Sequence, residues 1–388
     1  MGRPALILAA LAADAAPGKN FRGLRKLDLS DNLDAVLLQT ADGENFTFKI
    51  PANPQGESEL AVERTVLRAL TSSAAQLPFE IASEAGATRD SLGNLGVIFT
   101  SVNGDEPDLT KLPPGAFSKT LADALASIHS LDVSVVKEAG LPEYDSSTLL
   151  HQRVAELDRI AALGRVPAAL LSRWEAALED VGMFRYHPTV IHGGLAKEHL
   201  KLDGQRLVGM TGFENLRVSD PAEDLSWIVG AGLPSTVEDA LLHYRAAKPS
   251  ADENLIQRAT LYSELELGSW LAHCVEQGDE EAIAQAEDLI SELRDQLEAG
   301  SLKTLRAASF VGLVAGATIL PEITNSMPVV AETFDSIAAE SESSEESFLE
   351  DEAFAERSAE EPATESLDVS SIFDSAEKKS EPNPDELF

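Results

Sequence analysis

Apolar residues along this chain follow two rhythms. Between 35 and 50 they alternate: Phe46, Phe48 and Ile50 share one face, and Lys49 among them points to the other. The pattern predicts two strands around an Asp42-Gly43 turn. Residues 95–102, LGVIFTSV, predict another strand, ended by Asn103-Gly104. The second rhythm is helical. Leu60, Val66, Leu67 and Leu70 fall on one side of a helix over 57–70, which also carries Glu63. Leu121, Leu125 and Ile128 predict a helix over 118–131, with His129 in a structural place near its end. Further helices are predicted over 147–162, 167–181, 236–247, 252–276 and 280–299. In the last of these Ile283, Ile290, Leu293 and Leu297 form an apolar face.

The stretch 189–227 fits neither rhythm for long. Residues 189–192 read as a buried strand running into the pair Gly193-Gly194. Residues 199–210 read as a hairpin with Asp203-Gly204 as its turn. Asp220-Pro221-Ala222-Glu223 reads as a helix start. Asp220 is the cap, Pro221 takes the first helical position, and Glu223 completes a capping box.

Composition adds limits. The chain has 388 residues, 44% of them hydrophobic, which is enough for a two-lobed body of about 300 residues and a further segment. A net charge of -36 argues against nucleic acid or an anionic membrane as partner. A single cysteine, Cys274, excludes an internal disulfide framework and a zinc cluster, and fits a reducing cytoplasm. Residues 1–16 imitate a short signal peptide, but Asp14 stands where cleavage would fall. The expectation is a first helix closed by Pro17-Gly18. The apolar run 310–320 is far shorter than a membrane span. Residues 331–388 hold 19 Asp or Glu against Arg357, Lys378 and Lys379, with isolated apolar residues such as Phe348, Phe354 and Phe373. Such a segment is expected to be disordered, and serves either as a solubilising tail or as a docking sequence for a protein partner.

The stretch 189–227 resembles the catalytic core of the aminoglycoside and macrolide phosphotransferases, a family with a protein-kinase-like fold. Its pattern runs H-G-D-x-x-x-x-N, a hairpin, I-D-W-E, then D-P-x-x-D-L. Here His192-Gly193, Glu214 and the run Asp220-Pro221-Ala222-Glu223-Asp224-Leu225 stand in place. Three chemical positions do not. Gly194 replaces the catalytic Asp, His199 the metal-binding Asn, and Gly212 the magnesium-binding Asp. Lys49 and Glu63 sit in the elements that carry the nucleotide-gripping lysine and its glutamate partner. Residues 29–34, LSDNLD, take the place of the glycine-rich phosphate loop and contain no glycine. Alanine- and leucine-rich starts followed by Pro-Gly are similar to those of actinobacterial members.

The resemblance implies an α+β, two-lobed kinase-like fold. A small N-terminal β lobe would span 1–104 and a mainly helical lobe 105–300. A linker with an apolar patch over 301–330 and the acidic tail over 331–388 would follow. It implies ATP as cofactor and a small-molecule ligand, and it leaves magnesium in doubt. Three functional readings follow. In the first, the chain is a pseudokinase that acts by binding a nucleotide, a small molecule or a protein. In the second, it is an active ATP-dependent phosphotransferase using replacement carboxylates, Glu214 or Glu198. In the third, it is an interaction protein working through its acidic tail. Asp252 and Glu253 are either solvated charges or attractors of a cationic ligand.

Overall fold

A computed structural model describes residues 2–73, 76–109 and 111–307. The apolar run at 310–320 and the acidic segment 331–388 lie outside them. The chain begins with α1 (Ala5–Ala15), then β1 (Phe21–Ser30), β2 (Leu33–Thr40), β3 (Asn45–Pro51), α2 (Pro54–Thr71), β4 (Glu84–Arg89) and β5 (Leu95–Thr100). The five strands form one antiparallel sheet in the order β1-β2-β3-β5-β4. Register puts Leu27, Ala35, Lys49, Val97 and Ala87 in one cross-strand row. Val36, Phe48 and Ile98 form the neighbouring row on the opposite face.

That opposite face is covered by α1. Leu8, Ala12, Ala15 and Ala16 are buried with Val36, Leu38, Phe46, Phe48, Ile50 and Ile98. Small residues let the helix approach closely: a Cβ on Gly86 would lie 2.0 Å from the Ala15 carbonyl oxygen. Arg3 secures the entry of the helix. Its guanidinium reaches Asp34 at 2.9 Å, Asp90 at 2.8 Å and the Pro51 carbonyl at 2.8 Å. The expected first helix is therefore part of the sheet's core.

The rest is mainly helical: α3 (Ala116–Ile128), α4 (Ser134–Glu138), α5 (Ser146–Ala162), α6 (Ala168–Leu178), α7 (Ala222–Ala231), α8 (Pro234–Ala247), α9 (Leu255–Gln277) and α10 (Glu280–Glu298). Two small antiparallel pairs lie among the helices. They are β6 (Thr189–Ile191) with β9 (Arg217–Ser219), and the hairpin β7 (Leu200–Asp203) with β8 (Arg206–Met210). Trp174 is fully buried and donates its Nε1 hydrogen to Glu264 at 2.9 Å. Residues 301–307, expected to begin a linker, lie against this lobe, with Leu305 buried and the Ala307 amide bonded to Asp180.

Two expectations change. Glu223 does not complete a capping box; its carboxylate takes Arg217 at 2.6 Å and Ser219 instead. Asp220 does accept the Ala222 amide at 2.9 Å, but it is fully buried, and Arg258 and Tyr262 hold its other oxygen. Asp252 is not a free surface charge either. Both of its oxygens accept from Arg258, at 2.7 and 2.9 Å.

Candidate active site

The crossing between lobes runs through 101–105 and is tied to the hairpin. Asp105 and Leu202 exchange amide–carbonyl bonds at 2.9 and 2.8 Å. Glu80 does the same with Val208 and Met210, at 2.8 and 3.0 Å. These bonds tie the hairpin to the crossing and to the segment before β4.

On that face Lys49 Nζ donates to Glu63 Oε1 at 2.6 Å. The side chains are only 16% and 14% exposed, so the pair is formed and largely shielded from water. The ammonium also lies 5.8 Å from the Phe99 ring centroid. Strand alternation and the helical period of α2 place the two residues together, as the sequence predicts.

The loop after β6 is set by Asp224. This buried carboxylate accepts from the amides of His192 and Gly193, both at 2.8 Å, and from His129 at 3.0 Å. Burial alone would raise its pKa. The His129 hydrogen bond and charge, with the loop amides, outweigh that and hold it below the usual carboxylate range. His129 is also bonded to Tyr244 at 2.7 Å, so it plays the structural part expected of it. Gly193 has φ +80°, and a Cβ there would meet Arg217 at 2.2 Å and the Asn215 carbonyl at 2.3 Å.

His192 donates from Nε2 to the Thr211 carbonyl at 2.8 Å, which ties the loop to the turn after β8. Its Nδ1 is buried without a hydrogen-bond partner. Burial pushes this imidazole's pKa down, so it is neutral. Its ring lies 4.5 Å from Phe213 and 5.6 Å from His199, centroid to centroid, and Phe213 stacks on Phe79 at 6.4 Å. Four rings thus run as a column from Phe79 to His199.

The column ends against Gly212. That residue has φ +76° and ψ 36°, and a Cβ on it would lie 2.3, 2.4 and 2.5 Å from three atoms of the His199 ring. His199 is fixed there by its Nδ1, which donates to the Gly194 carbonyl at 2.9 Å. Position 194 has more room, since a Cβ there would come to 3.0 Å from Asn215 Nδ2. Three of the predicted site positions, Gly194, His199 and Gly212, therefore form one contact group. Glu214 is exposed on a single 3-10 turn (Phe213–Asn215), and Glu198 is exposed as well. Asp203 pairs with Arg206 in the hairpin register. Among the described residues no three His, Cys, Asp or Glu side chains gather as a metal site.

Sequence reasoning did not anticipate Arg217. It donates to the carbonyls of Gly193 at 3.0 Å and Asn215 at 2.9 Å, bracing the loop from below. An arginine on a three-residue strand gives no local sign of this; only the Gly193 close approach, read in space, reveals it.

A sequence profile described as phosphotransferase enzyme family matches residues 28–262. No curated protein matches the chain. Among solved structures, a macrolide 2′-phosphotransferase from Brachybacterium faecium is 21% identical, with 73% of this chain and 97% of that one covered and a TM-score of 0.59. A type I macrolide 2′-phosphotransferase is 22% identical, with 74% and 95% covered and a TM-score of 0.58. A GDP complex of a wild-type aminoglycoside 2′-phosphotransferase is 18% identical, with 76% and 100% covered and a TM-score of 0.59. The likeness is one of fold: an antiparallel sheet lobe and a helical lobe in the kinase-like arrangement.

Proposed function

The chain belongs to the phosphotransferase enzyme family, and from that premise we propose that it is a pseudokinase: it keeps the family's nucleotide cleft, has lost phosphoryl transfer, and acts by binding. The observation that carries this reading is the His199 ring standing where any side chain at position 212 would have to go.

In a working site of this kind a carboxylate orients the acceptor hydroxyl, an effect worth ~10²–10⁴ in rate. Gly194 has no side chain to do so. Magnesium would be held by an Asp and an Asn and would neutralise charge on the moving phosphoryl group. Gly212 offers no ligand. His199 already donates to Gly194, and its imidazole is poorly suited to magnesium, which prefers oxygen. Magnesium does not fit these residues. The active alternative needs a convergent carboxylate, and the exposed positions of Glu198 and Glu214 count against it.

The formed Lys49–Glu63 pair supports retention of the cleft. Solved relatives hold GDP, and GDP with kanamycin. By analogy the ligands here are a purine nucleotide, ATP included, and a small molecule. The acidic segment 331–388 remains in the proposal as a docking sequence for a protein partner. No helix among the described residues is long and apolar enough to cross a membrane, and we place the protein in the cytoplasm.

Manganese, a paramagnetic stand-in for magnesium, tests the loss of the metal site. Electron paramagnetic resonance is recorded on Mn²⁺ and ADP with and without the full chain. The expected spectrum is that of Mn²⁺ and ADP alone. A protein-dependent bound signal that disappears in Glu214→Gln would establish the active alternative.

A further inference from the structure

Helix α1 is apolar on every side. Leu8, Ala12 and Ala15 face the sheet. At about 100° per residue, Leu6, Ala10 and Ala13 fall on the side away from it, with Ile7 and Ala9 at the flanks. Leu6 is 76% exposed and Ile7 52%, and Ala10 and Ala13 are exposed with them. A helix that is hydrophobic all round is ordinarily a covered one. Arg3 holds Asp90 at 2.8 Å, which brings the β4–β5 turn to the start of α1, and Leu92 on that turn is 84% exposed. Apolar surface of this kind marks an interaction site. The helix precedes residues 28–262, the part matched by the family profile.

The outer face is complementary to itself. Its bulky residues, Leu6 and Ile7, stand in the first half of the helix, Ala10 at the centre, and Ala13 and Asp14 in the second half. An antiparallel second copy, related by a two-fold axis at Ala10, sets Ile7 opposite the partner's Ala13 and Leu6 opposite the partner's Asp14. Large then meets small, and alanine at the crossing lets the helix axes approach to about 8 Å.

The charges agree with the same arrangement. The first turn of α1 has neither a side-chain cap nor an acidic residue, and its last turn holds Asp14 but no basic residue. In its own helix that carboxylate stands at the negative end of the dipole. Thr88 donates to one of its oxygens. In the antiparallel pair Asp14 comes over the partner's uncapped first turn, where negative charge is favourable. A lipid surface suits the face less well, because a net charge of -36 is repelled by anionic headgroups.

We propose that α1 pairs with α1 of a second copy of this chain, antiparallel about a two-fold axis at Ala10. The helix has 11 residues, a length of about 16 Å. Its face is smaller than the roughly 800 Å² per partner of a standard interface, so the dimer is a weak one, with a Kd on the order of 10–100 µM.

Sedimentation equilibrium on the full chain, from about 5 to 500 µM, tests it. The mass should rise with concentration from that of one chain towards that of two. Ala10→Glu sets two carboxylates against each other at the axis and should raise Kd about a hundredfold or more. Circular dichroism checks that this variant keeps its fold. Ala10→Cys gives a second reading that does not depend on the glutamate. Only a residue at the axis meets its own copy within the Cα separation of a disulfide, about 4.4–6.8 Å, so oxygen with copper phenanthroline should link Ala10→Cys chains in pairs. Asp42→Cys, in the β2–β3 turn, should not link, and Cys274 is buried, which leaves the parent unlinked. A parent that stays monomeric at the highest concentration overturns the proposal. So does a dimer that survives Ala10→Glu, or an Ala10→Cys chain that links no faster than Asp42→Cys. Binding of the parent to phosphatidylcholine vesicles that is lost in Ala10→Glu would overturn it too and give the face to a lipid surface.

Discussion

Replacing Gly212 by aspartate should damage the fold unless His199 is replaced with it. Two costs arise at position 212. The backbone is left-handed there, φ +76°, which costs an L-residue about 1–2 kcal/mol, with Asp at the mild end. The new Cβ would also overlap the His199 ring at 2.3–2.5 Å, and overpacking of this kind costs about 1–3 kcal/mol. The sum is about 2–5 kcal/mol for Gly212→Asp alone. His199→Asn removes the ring and loses its bond to Gly194, at about 0.5–1.5 kcal/mol. In that background the overlap vanishes and only the backbone cost remains. The double-mutant cycle should therefore show about 1–3 kcal/mol of favourable coupling. Urea unfolding of the parent, both single variants and the double variant measures it. Additive costs, or a Gly212→Asp variant as stable as the parent, would refute the claim that these two positions share one space.

Other outcomes follow from the same contacts. Lys49→Ala leaves Glu63 without its cation at 14% exposure and should cost about 1–3 kcal/mol in urea unfolding. Lys19→Ala, which breaks an exposed pair with Glu44, should cost less than about 1 kcal/mol. Arg258→Met strands the buried Asp220 carboxylate and should cost about 3–5 kcal/mol in the same assay. His192 titrates below its ordinary value because it is buried, so the unfolded chain binds a proton that the folded chain refuses. That contribution is intact above about pH 6.5 and is lost as pH falls towards the folded value. His192→Gln should flatten the acid slope of unfolding free energy in that window, and an unchanged slope would count against neutral burial.

Much of the fold was legible because its elements carry their own periodicity. Helices α2, α3, α5, α6, α8, α9 and α10 match helices expected from the sequence, α7 matches the expected capped start, and the hairpin matches its Asp203-Gly204 turn; the five-residue α4 carries too little pattern to be expected. Strand β1 was missed because it lies at the sheet edge. Residues 21–30 are mostly exposed there and show no clean alternation. Strand β4, EAGATR, is short and rich in small residues, so it has little strand signal. The site was legible in its identities and not in its contacts. The resemblance gives the expectation that Gly194, His199 and Gly212 stand where the family has other residues, and strand alternation with the helical period of α2 brings Lys49 to Glu63. It does not show that the His199 ring lies in the space a Gly212 side chain would need, because the two are thirteen positions apart and meet only through the return of the hairpin. Nor does it show that Arg258, on a helix rich in polar residues, is fully buried between Asp220 and Asp252.

A scaffold that survives without its reacting groups should leave ATP intact, and single-turnover hydrolysis of radiolabelled ATP with magnesium measures this. The parent chain is compared with the variant carrying Gly194→Asp, His199→Asn and Gly212→Asp together. The expected result is a parent rate equal to the protein-free blank and a measurable magnesium-dependent rate in the triple variant. A parent that hydrolyses ATP in a magnesium-dependent way, and loses that activity on Lys49→Ala, would contradict the account.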